Sequence, residues 1–241
     1  MGAELKRYDR QPDVSTGQLT MTSVPDAIFK QNGAPDRARR DPEGTRSALL
    51  RAARQAFGRK GLAGARVDEI AARAGVNKQL VYHHFGDKDG LYLAVLEQLY
   101  DDIRSAESSL HLRGLTPDKA IRRLIGFSFD HLARFPEFIA LLNDENRLGA
   151  PHARRSAKLP AMHSPLVAML AETIEAGVKA GLFRPGIDPM QLYISIAGLS
   201  YFSFSNAPTL SVIFNRDLST AAALRRRRRH VVDFVMHALR L

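Results

Sequence analysis

Hydrophobic residues recur with helical spacing along residues 67–88, which read VDEIAARAGVNKQLVYHHFGDK. One face of a helix has apolar residues at i, i+3, i+4 and i+7, and this spacing is met by Val67, Ile70, Ala71 and Ala74. Gly75 follows directly, and a glycine there can take the left-handed conformation that ends one helix and turns the chain into the next. The pattern predicts two short helices around a glycine turn.

The segment after Gly75 also divides into an inner and an outer set. Val76 and Val81 are apolar and are predicted to pack inward, whereas the outer positions carry Asn77, Lys78, Gln79, Tyr82 and His83. A helix pair with this turn is the helix-turn-helix, whose second helix enters the major groove of DNA. The alternative is a plain helical hairpin in an all-α protein.

The same 3.6-residue period continues through most of the chain, and no segment shows the alternation of a strand. We therefore predict an all-α fold of about nine helices. The first helix is expected at about 43–60, with Thr45 as its N-cap and Gly61 as its end. The later helices are expected at about 87–109, 117–135, from 136, 165–180, 189–206 and from Ser219 as N-cap. The helix at 189–206, which is the eighth in the chain, is apolar nearly all round and is predicted to be buried on most sides.

Three parts of the chain differ in pattern. Residues 1–41 contain scattered prolines and glycines, keep no helical period and are predicted to be a disordered tail. Residues 42–90 form the predicted DNA-binding headpiece, and residues 91–241 form a larger helical domain. The tail ends in Arg37, Arg39 and Arg40, which would be either a basic arm for the minor groove or a solvated linker. Met21 is a possible alternative start.

The composition narrows the partners. The net charge is +10 and the pI is near 10.2, which favours a polyanion such as nucleic acid. There is no cysteine, so disulfides and thiolate metal sites are excluded. The longest apolar run, 192–204, is too short to span a bilayer and the N-terminus lacks a signal peptide's apolar core. A cytoplasmic protein without a membrane partner is expected.

The string AGVNKQLVYHHFGDKDGLYLAVL closely resembles the helix-turn-helix signature of the TetR family of bacterial transcriptional regulators, and the similarity is strongest over residues 45–96. The resemblance implies a homodimer whose two headpieces enter successive major grooves of a palindromic operator in double-stranded DNA. It also implies that the second domain binds a small-molecule effector, that the last two helices form the dimer interface, and that the protein is a ligand-responsive repressor.

The family's DNA contacts can be carried over to individual residues. Lys78 and Gln79 open the recognition helix and are implied to reach base edges or phosphates. Tyr82 matches the family's phosphate-binding tyrosine, and His83 lies beside it on the DNA side. Lys88 matches the lysine that binds phosphate at the start of the fourth helix. Thr45 is expected to bind phosphate at the start of the first helix.

The sequence departs from the family at two places. Thr or Ser usually precedes the second helix, but Ala65 and Arg66 stand here, so the cap is lost at a cost of about 1 kcal/mol. Arg66 would either bind the phosphate directly or remain solvated. The family often has Thr where this chain has Leu80, which would contact a thymine methyl or pack inward. This second departure bears on which base sequence the operator has, and leaves the prediction of DNA binding itself unchanged.

Other conspicuous side chains have simpler interpretations. His84 and Phe85 are predicted to face the core, and the histidines lack metal-ligand spacing, so no metal is expected. The run from Arg225 to Arg229 sweeps through more than one helical turn. It is interpreted as a solvated start to the last helix, with some arginines paired to acids across the dimer, rather than as a second DNA-binding surface.

The effector is expected between the fifth and eighth helices, in a mostly apolar pocket with a few polar anchors. Any single candidate is more simply ordinary core, and none of them identifies the ligand. The candidates are Phe127, His131, Phe138, Asn143, Met162, Met169, Thr173 and Tyr201.

Two other function classes are alternatives to a regulator. An enzyme would need a nucleophile triad, a metal motif or a phosphate loop, and none is visible, so no catalytic residue and no cofactor are predicted; Asp144 and Glu145 near Arg147 are more simply a surface ion pair. An architectural DNA binder would use the positive charge alone and bind any duplex with a steep salt dependence.

Overall fold

The computed structural model describes residues 41–240, except the side chains of residues 163 and 164, and every regular element in this part of the chain is a helix. Residues 1–40 of the predicted tail, with its three arginines and Met21, lie outside the described residues, whereas Asp41 is described. The all-α prediction is confirmed, with one helix more than expected. The helices are α1 (Pro42–Gly64), α2 (Val67–Ala74), α3 (Gln79–Phe85), α4 (Lys88–Ser108), α5 (Pro117–Arg134), α6 (Pro136–Arg147), α7 (Leu159–Lys179), α8 (Pro189–Ser205), α9 (Ala207–Ile213) and α10 (Ala221–Leu239), with a 3-10 turn at Ala153–Arg155.

The first helix begins earlier than its sequence suggests. Oδ1 of Asp41 accepts a hydrogen bond from the Gly44 N–H at 3.0 Å, so Asp41 is the N-cap and the prediction of Thr45 was wrong. Pro42 fits in this first turn because its missing N–H has no helical partner there. Gly61, the predicted end, has φ +66° and kinks the helix before a last turn that reaches Gly64.

Two predicted loops are partly helical. α7 begins at Leu159 instead of 165, and α9 occupies the segment around Pro208 that was predicted to be a loop. Pro160 and Pro208 lie in first turns, where proline is tolerated, so they start helices instead of preventing them. Thr220, not Ser219, caps α10 by accepting the Ala223 N–H at 3.2 Å.

One hydrophobic core joins α1, α2, α3, the first half of α4, and α6. At its centre the Phe57 and Tyr92 rings meet edge to face, 5.1 Å apart, and the Tyr92 hydroxyl donates to the Leu141 carbonyl at 3.0 Å. Arg54 of α1 adds ion pairs of 2.7 Å to Asp102 of α4 and Glu137 of α6. The small N-terminal helices are therefore completed by residues from α6.

A second core joins α5, α7, α8 and α10. α8 contributes Leu192 and Ile196 to this core, but its other face is open, with Ile194 and Phe202 each more than half exposed. The prediction that this helix is buried on most sides was wrong for the single chain, because an all-round apolar pattern does not say which protomer covers it. Among residues 41–240, no helix has the length and apolarity needed to cross a bilayer.

Candidate nucleic-acid interface and adjoining cavities

The predicted helix-turn-helix is formed by α2, Gly75 and α3. Gly75 has φ +71°, in the left-handed region that a glycine adopts without strain, and the Val76 N–H bonds back to the Ala71 carbonyl at 3.0 Å. Ala71 and Val81 are buried where the two helices meet. The outer face of α3 is left free to approach a partner.

That outer face is polar and accessible. Gln79, Tyr82 and His83 are exposed on α3, and Tyr82 keeps about half of its surface in solvent. The helix start is capped by a residue that sequence reasoning missed, since Asn77 Oδ1 accepts the Gln79 N–H at 2.9 Å. Asn is a favoured cap, so its position two residues before α3 carried the signal. The cap leaves the first turn of α3 ordered and presented outward.

Lys78 is held by a neighbour in the free protein. Its Nζ lies 3.2 Å from Oδ1 of Asp68 in the first turn of α2, and both side chains are more than half exposed. An ion pair so open to water contributes little stability. Lys78 can therefore exchange this carboxylate for a DNA phosphate or base at low cost.

Three neighbours on α3 face inward to different degrees. Leu80 is half-buried and packs on the first core, which favours the packing interpretation over a thymine contact. Phe85 packs on the same core, and the Arg46 guanidinium lies 5.4 Å from its ring centroid. His84 is only half-buried, with the rings of His83 and Phe85 at 5.2 and 6.0 Å.

Three helix N-termini are expected to bind phosphate, and they differ in the hydrogen bonds that their side chains already make within the protein. Arg66 precedes α2, is exposed and makes no side-chain capping bond, so the predicted loss of the cap is confirmed. At α4, Asp87 caps the Gly90 N–H at 2.6 Å, and Lys88 Nζ donates to the Ala63 carbonyl at 3.3 Å. Thr45 lies one turn into α1, where the Asp41 carboxylate already accepts from the backbone.

Four of the eight effector candidates line two separate cavities. Phe138 and Tyr201 line a cavity of about 380 Å³ between α4, α5, α6 and α8. Met162 and Met169 line another of about 400 Å³ between α4 and α7. The structure thus brings together only part of the predicted set.

The other four candidates, Phe127, His131, Asn143 and Thr173, line neither cavity, and the exposed Asn143 accepts a hydrogen bond from the Tyr201 hydroxyl. Thr173 donates to the Met169 carbonyl at 2.8 Å, which is an ordinary bond within α7. His131 is buried between the rings of Phe127, Phe135 and Phe138, at 5.5, 4.6 and 6.1 Å. Burial lowers the pKa of His131 to about 4, with the positive charge of Arg54 adding to the shift, so its imidazole is neutral near pH 7.

Sequence reasoning missed the two charged residues that separate these cavities. Arg104 and Glu107 line both, and their side chains keep only 10% and 4% of their surface exposed. They are one helical turn apart on α4, with Nη1 of Arg104 2.7 Å from Oε2 of Glu107. Such a spacing is common on solvated helices, so only the tertiary packing reveals that this pair is internal.

The run of five arginines at the start of α10 is partly used within the chain. Arg227 donates to Ser203 Oγ at 2.7 Å and to the Leu199 carbonyl at 3.0 Å. Arg228 makes two bonds to the Asp130 carboxylate, at 2.7 and 2.9 Å. The acid paired with Arg228 therefore belongs to the same chain, whereas the sequence suggested pairing across a dimer. The other three arginines are exposed.

Within residues 41–240, no cluster of three or more His, Asp or Glu side chains is placed to hold a metal ion. Among the described residues, the places where a ligand could bind include the outer face of α3, the two cavities beside Arg104 and a cavity of about 770 Å³ lined by residues of α8, α9 and α10.

Known proteins with similar sequences cover most of this chain. Residues 49–95 match the family described as bacterial regulatory proteins, tetR family, and residues 117–235 match the tetracyclin repressor-like C-terminal domain. The HTH-type transcriptional repressor NicS of Pseudomonas putida is 37% identical over 196 residues, which is 81% of this chain and 92% of NicS.

Two solved structures share the fold. The putative transcriptional regulator SCO4942 of Streptomyces coelicolor is 26% identical, with a TM-score of 0.59 over 81% of this chain and 98% of that one. AibR, in a complex with isovaleryl coenzyme A and operator DNA, is 20% identical, with a TM-score of 0.60 over 79% of this chain and 97% of AibR. At that identity the likeness to AibR shows the fold alone.

Proposed function

The chain belongs to the TetR family of bacterial regulatory proteins and is a DNA-binding transcriptional regulator, and we propose that it represses transcription from a palindromic operator until an effector binds. The observation that carries this proposal is the α2–Gly75–α3 pair, whose exposed polar face matches what a recognition helix presents. Its curated relatives are named as transcriptional regulators, not as enzymes.

We assign the DNA contacts to two groups of residues. Lys78, Gln79 and His83 on the outer face of α3 would read base edges. Tyr82, Lys88, Arg66 and Thr45 would bind phosphates and fix the position of the headpiece. Support comes from the exposure of Gln79, Tyr82 and His83, and from the inward packing of Leu80, which removes it from the set that reads bases.

We propose that two chains associate through α8 and α10. The open face of α8 and the adjoining part of α10 expose Phe202 and Phe234, which are large apolar side chains that water solvates poorly. α9 extends this surface with Val212, Ile213 and Phe214. A dimer would place two recognition helices on one face of the duplex, which a palindromic site requires.

The C-terminal helices, residues 91–241, would form the effector and dimerisation domain on a headpiece formed by residues 42–90. The cavity of about 380 Å³ is the size of a small-molecule site. AibR, with its fold in common, is described in complex with an acyl coenzyme A and operator DNA. We place the protein in the bacterial cytoplasm, where its operator would be.

Footprinting on the DNA that flanks its own gene tests this function. We expect protection of a palindrome that survives an excess of random duplex, because base contacts distinguish the operator from other DNA. If random duplex competes equally well and binding follows only the salt concentration, the protein is an architectural DNA binder and the proposal is wrong.

A further inference from the structure

Arg104 is a buried cation with unused hydrogen-bond donors. Its Nη2 donates to the Tyr193 hydroxyl at 3.1 Å, but Nε has no hydrogen-bond partner within the described part of the chain. Nη1 is close to Glu107 Oε2, yet the two groups are not oriented for a hydrogen bond. A buried charged donor without an acceptor is costly, so this guanidinium is poorly satisfied by the protein alone.

Glu107 does not fully balance that charge. Burial raises the pKa of the Glu107 carboxyl to about 7, although the nearby Arg104 acts in the opposite direction. Near neutral pH, part of the population therefore has a neutral Glu107 next to a charged Arg104. An anion that enters while Glu107 is neutral would therefore meet the unbalanced positive charge of Arg104.

The cavity beside Arg104 suits a flat apolar body. Its walls include four aromatic rings, from Tyr100, Phe138, Tyr193 and Tyr201. A cavity of about 150 Å³ is enough to hold benzene, and this one has a volume of about 380 Å³. Rings of this kind stack on planar ligands at offset or edge-to-face geometry. The cavity is large enough for one or two rings with a polar substituent.

We propose that this cavity binds an aromatic or alicyclic carboxylate of one or two rings, whose carboxylate accepts hydrogen bonds from Arg104. Arginine presents paired N–H donors that match both oxygens of a carboxylate, which gives a strong and directional contact. The ring would then lie among the four aromatic walls. The inference rests on the proposed function, since it names the class of effector for the same site.

The position of Arg104 along α4 connects this site to the headpiece. α4 runs without interruption from Lys88, the proposed phosphate ligand, to Ser108. At 1.5 Å per residue, the two ends of the segment from Lys88 to Arg104 are roughly 24 Å apart. A ligand bound at Arg104 would therefore contact the same helix that carries the proposed phosphate ligand.

Calorimetric titration of the purified full chain with benzoate, phenylacetate and cyclohexanecarboxylate tests this inference. We expect at least one to bind with a Kd of about 1 mM or tighter, and its neutral amide to bind about tenfold more weakly or worse. Arg104→Met should lower the carboxylate affinity about tenfold or more, since it removes a charged hydrogen-bond donor. Arg123→Met, on the exposed surface of α5, should leave it unchanged.

A second variant locates the site without touching Arg104. Ala197→Phe places a larger side chain in the cavity wall, and we expect it to block carboxylate binding while circular dichroism shows an unchanged helical content. If Arg104→Met fails to fold, Ala197→Phe and the amide comparison still decide the matter. Binding that survives Ala197→Phe, equal affinity for acid and amide, or no binding of any probe would overturn the proposal.

The same preparations separate this inference from the proposed function. Operator binding is measured by gel shift without any probe. A protein that binds its operator but no carboxylate contradicts only the choice of ligand. A protein that binds carboxylates through Arg104 but no specific DNA contradicts the regulator function, while the assignment of the cavity stands.

Discussion

The Nζ of Lys78 at the start of α3 lies 3.2 Å from Oδ1 of Asp68 in the first turn of α2. DNA must therefore displace an acid before Lys78 can bind a base or a phosphate. For Asp68→Asn we expect about two- to fivefold tighter operator binding, the range that corresponds to an exposed ion pair. Fluorescence anisotropy with a labelled operator measures the affinity of each protein.

Glu69→Gln provides the matched control for that experiment. It removes the same charge one residue later, but Glu69 pairs with Lys60 on α1 and not with α3. If both variants tighten binding equally, the gain comes from net charge and the specific competition for Lys78 is wrong.

Arg66→Thr separates the two interpretations of Arg66. If Arg66 binds a phosphate, the slope of log affinity against log salt should fall by up to about 0.9. The restored cap should also raise the free energy of unfolding by about 1 kcal/mol, as measured by urea denaturation. Arg123→Thr removes an equal charge far along the chain and should leave the slope unchanged. An unaltered slope in Arg66→Thr would mean that Arg66 is only solvated.

Phe202→Asp tests the dimer surface. A charge on the open face of α8 would have to be buried against the partner, so we expect dissociation to monomers at micromolar concentration in analytical ultracentrifugation. Leu148→Asp is the control, because Leu148 is as exposed as Phe202 but lies at the end of α6. A Phe202→Asp protein that sediments as a dimer would place the interface elsewhere.

His131 makes the stability of the protein depend on pH. Burial holds its pKa at about 4, below the ordinary value of 6.5, so the unfolded chain binds the proton more readily than the folded chain. The stability should therefore rise as pH increases from about 4 to 6.5 and level off above. Arg54, Asp102, Arg104 and Glu137 are the charged groups that influence this titration.

His131→Leu removes that titration and places an apolar side chain between the phenylalanine rings. We expect the urea midpoint of His131→Leu to vary less than that of the wild type between pH 4 and 6.5. Equal pH dependence in the two proteins would assign the acid sensitivity to other groups.

The features that sequence predicted best are those set by local pattern. The apolar spacing of α2, the turn at Gly75 and the stripe of α4 were all visible, because periodicity and a left-handed glycine are properties of a short segment. The helix boundaries around Pro208 were predicted wrongly, because the effect of a proline depends on its position in a helix. Proline disfavours a helix interior but is favoured in a first turn, and spacing alone does not separate the two cases.

The interior of the second domain was harder to predict. The eight effector candidates were chosen by residue type, and packing divided them between two cavities and the ordinary core. Arg104 and Glu107 were passed over because charged residues one turn apart usually face water. Their burial depends on α5, α7 and α8 lying over the end of α4, which no local pattern records.

The contacts of Phe57 with Tyr92 and of Arg54 with Glu137 bear on how DNA-binding headpieces can be exchanged between regulators of this kind. A recombinant joined near residue 90 would bring foreign α1 side chains against this chain's α6, where Phe57, Arg54 and Leu141 now fit one another. Hybrid proteins, whether made in the laboratory or by natural recombination, would preserve the fold better if α6 were transferred together with the headpiece. The segment that must be exchanged to change which operator is recognised is therefore larger than the helices that contact the operator.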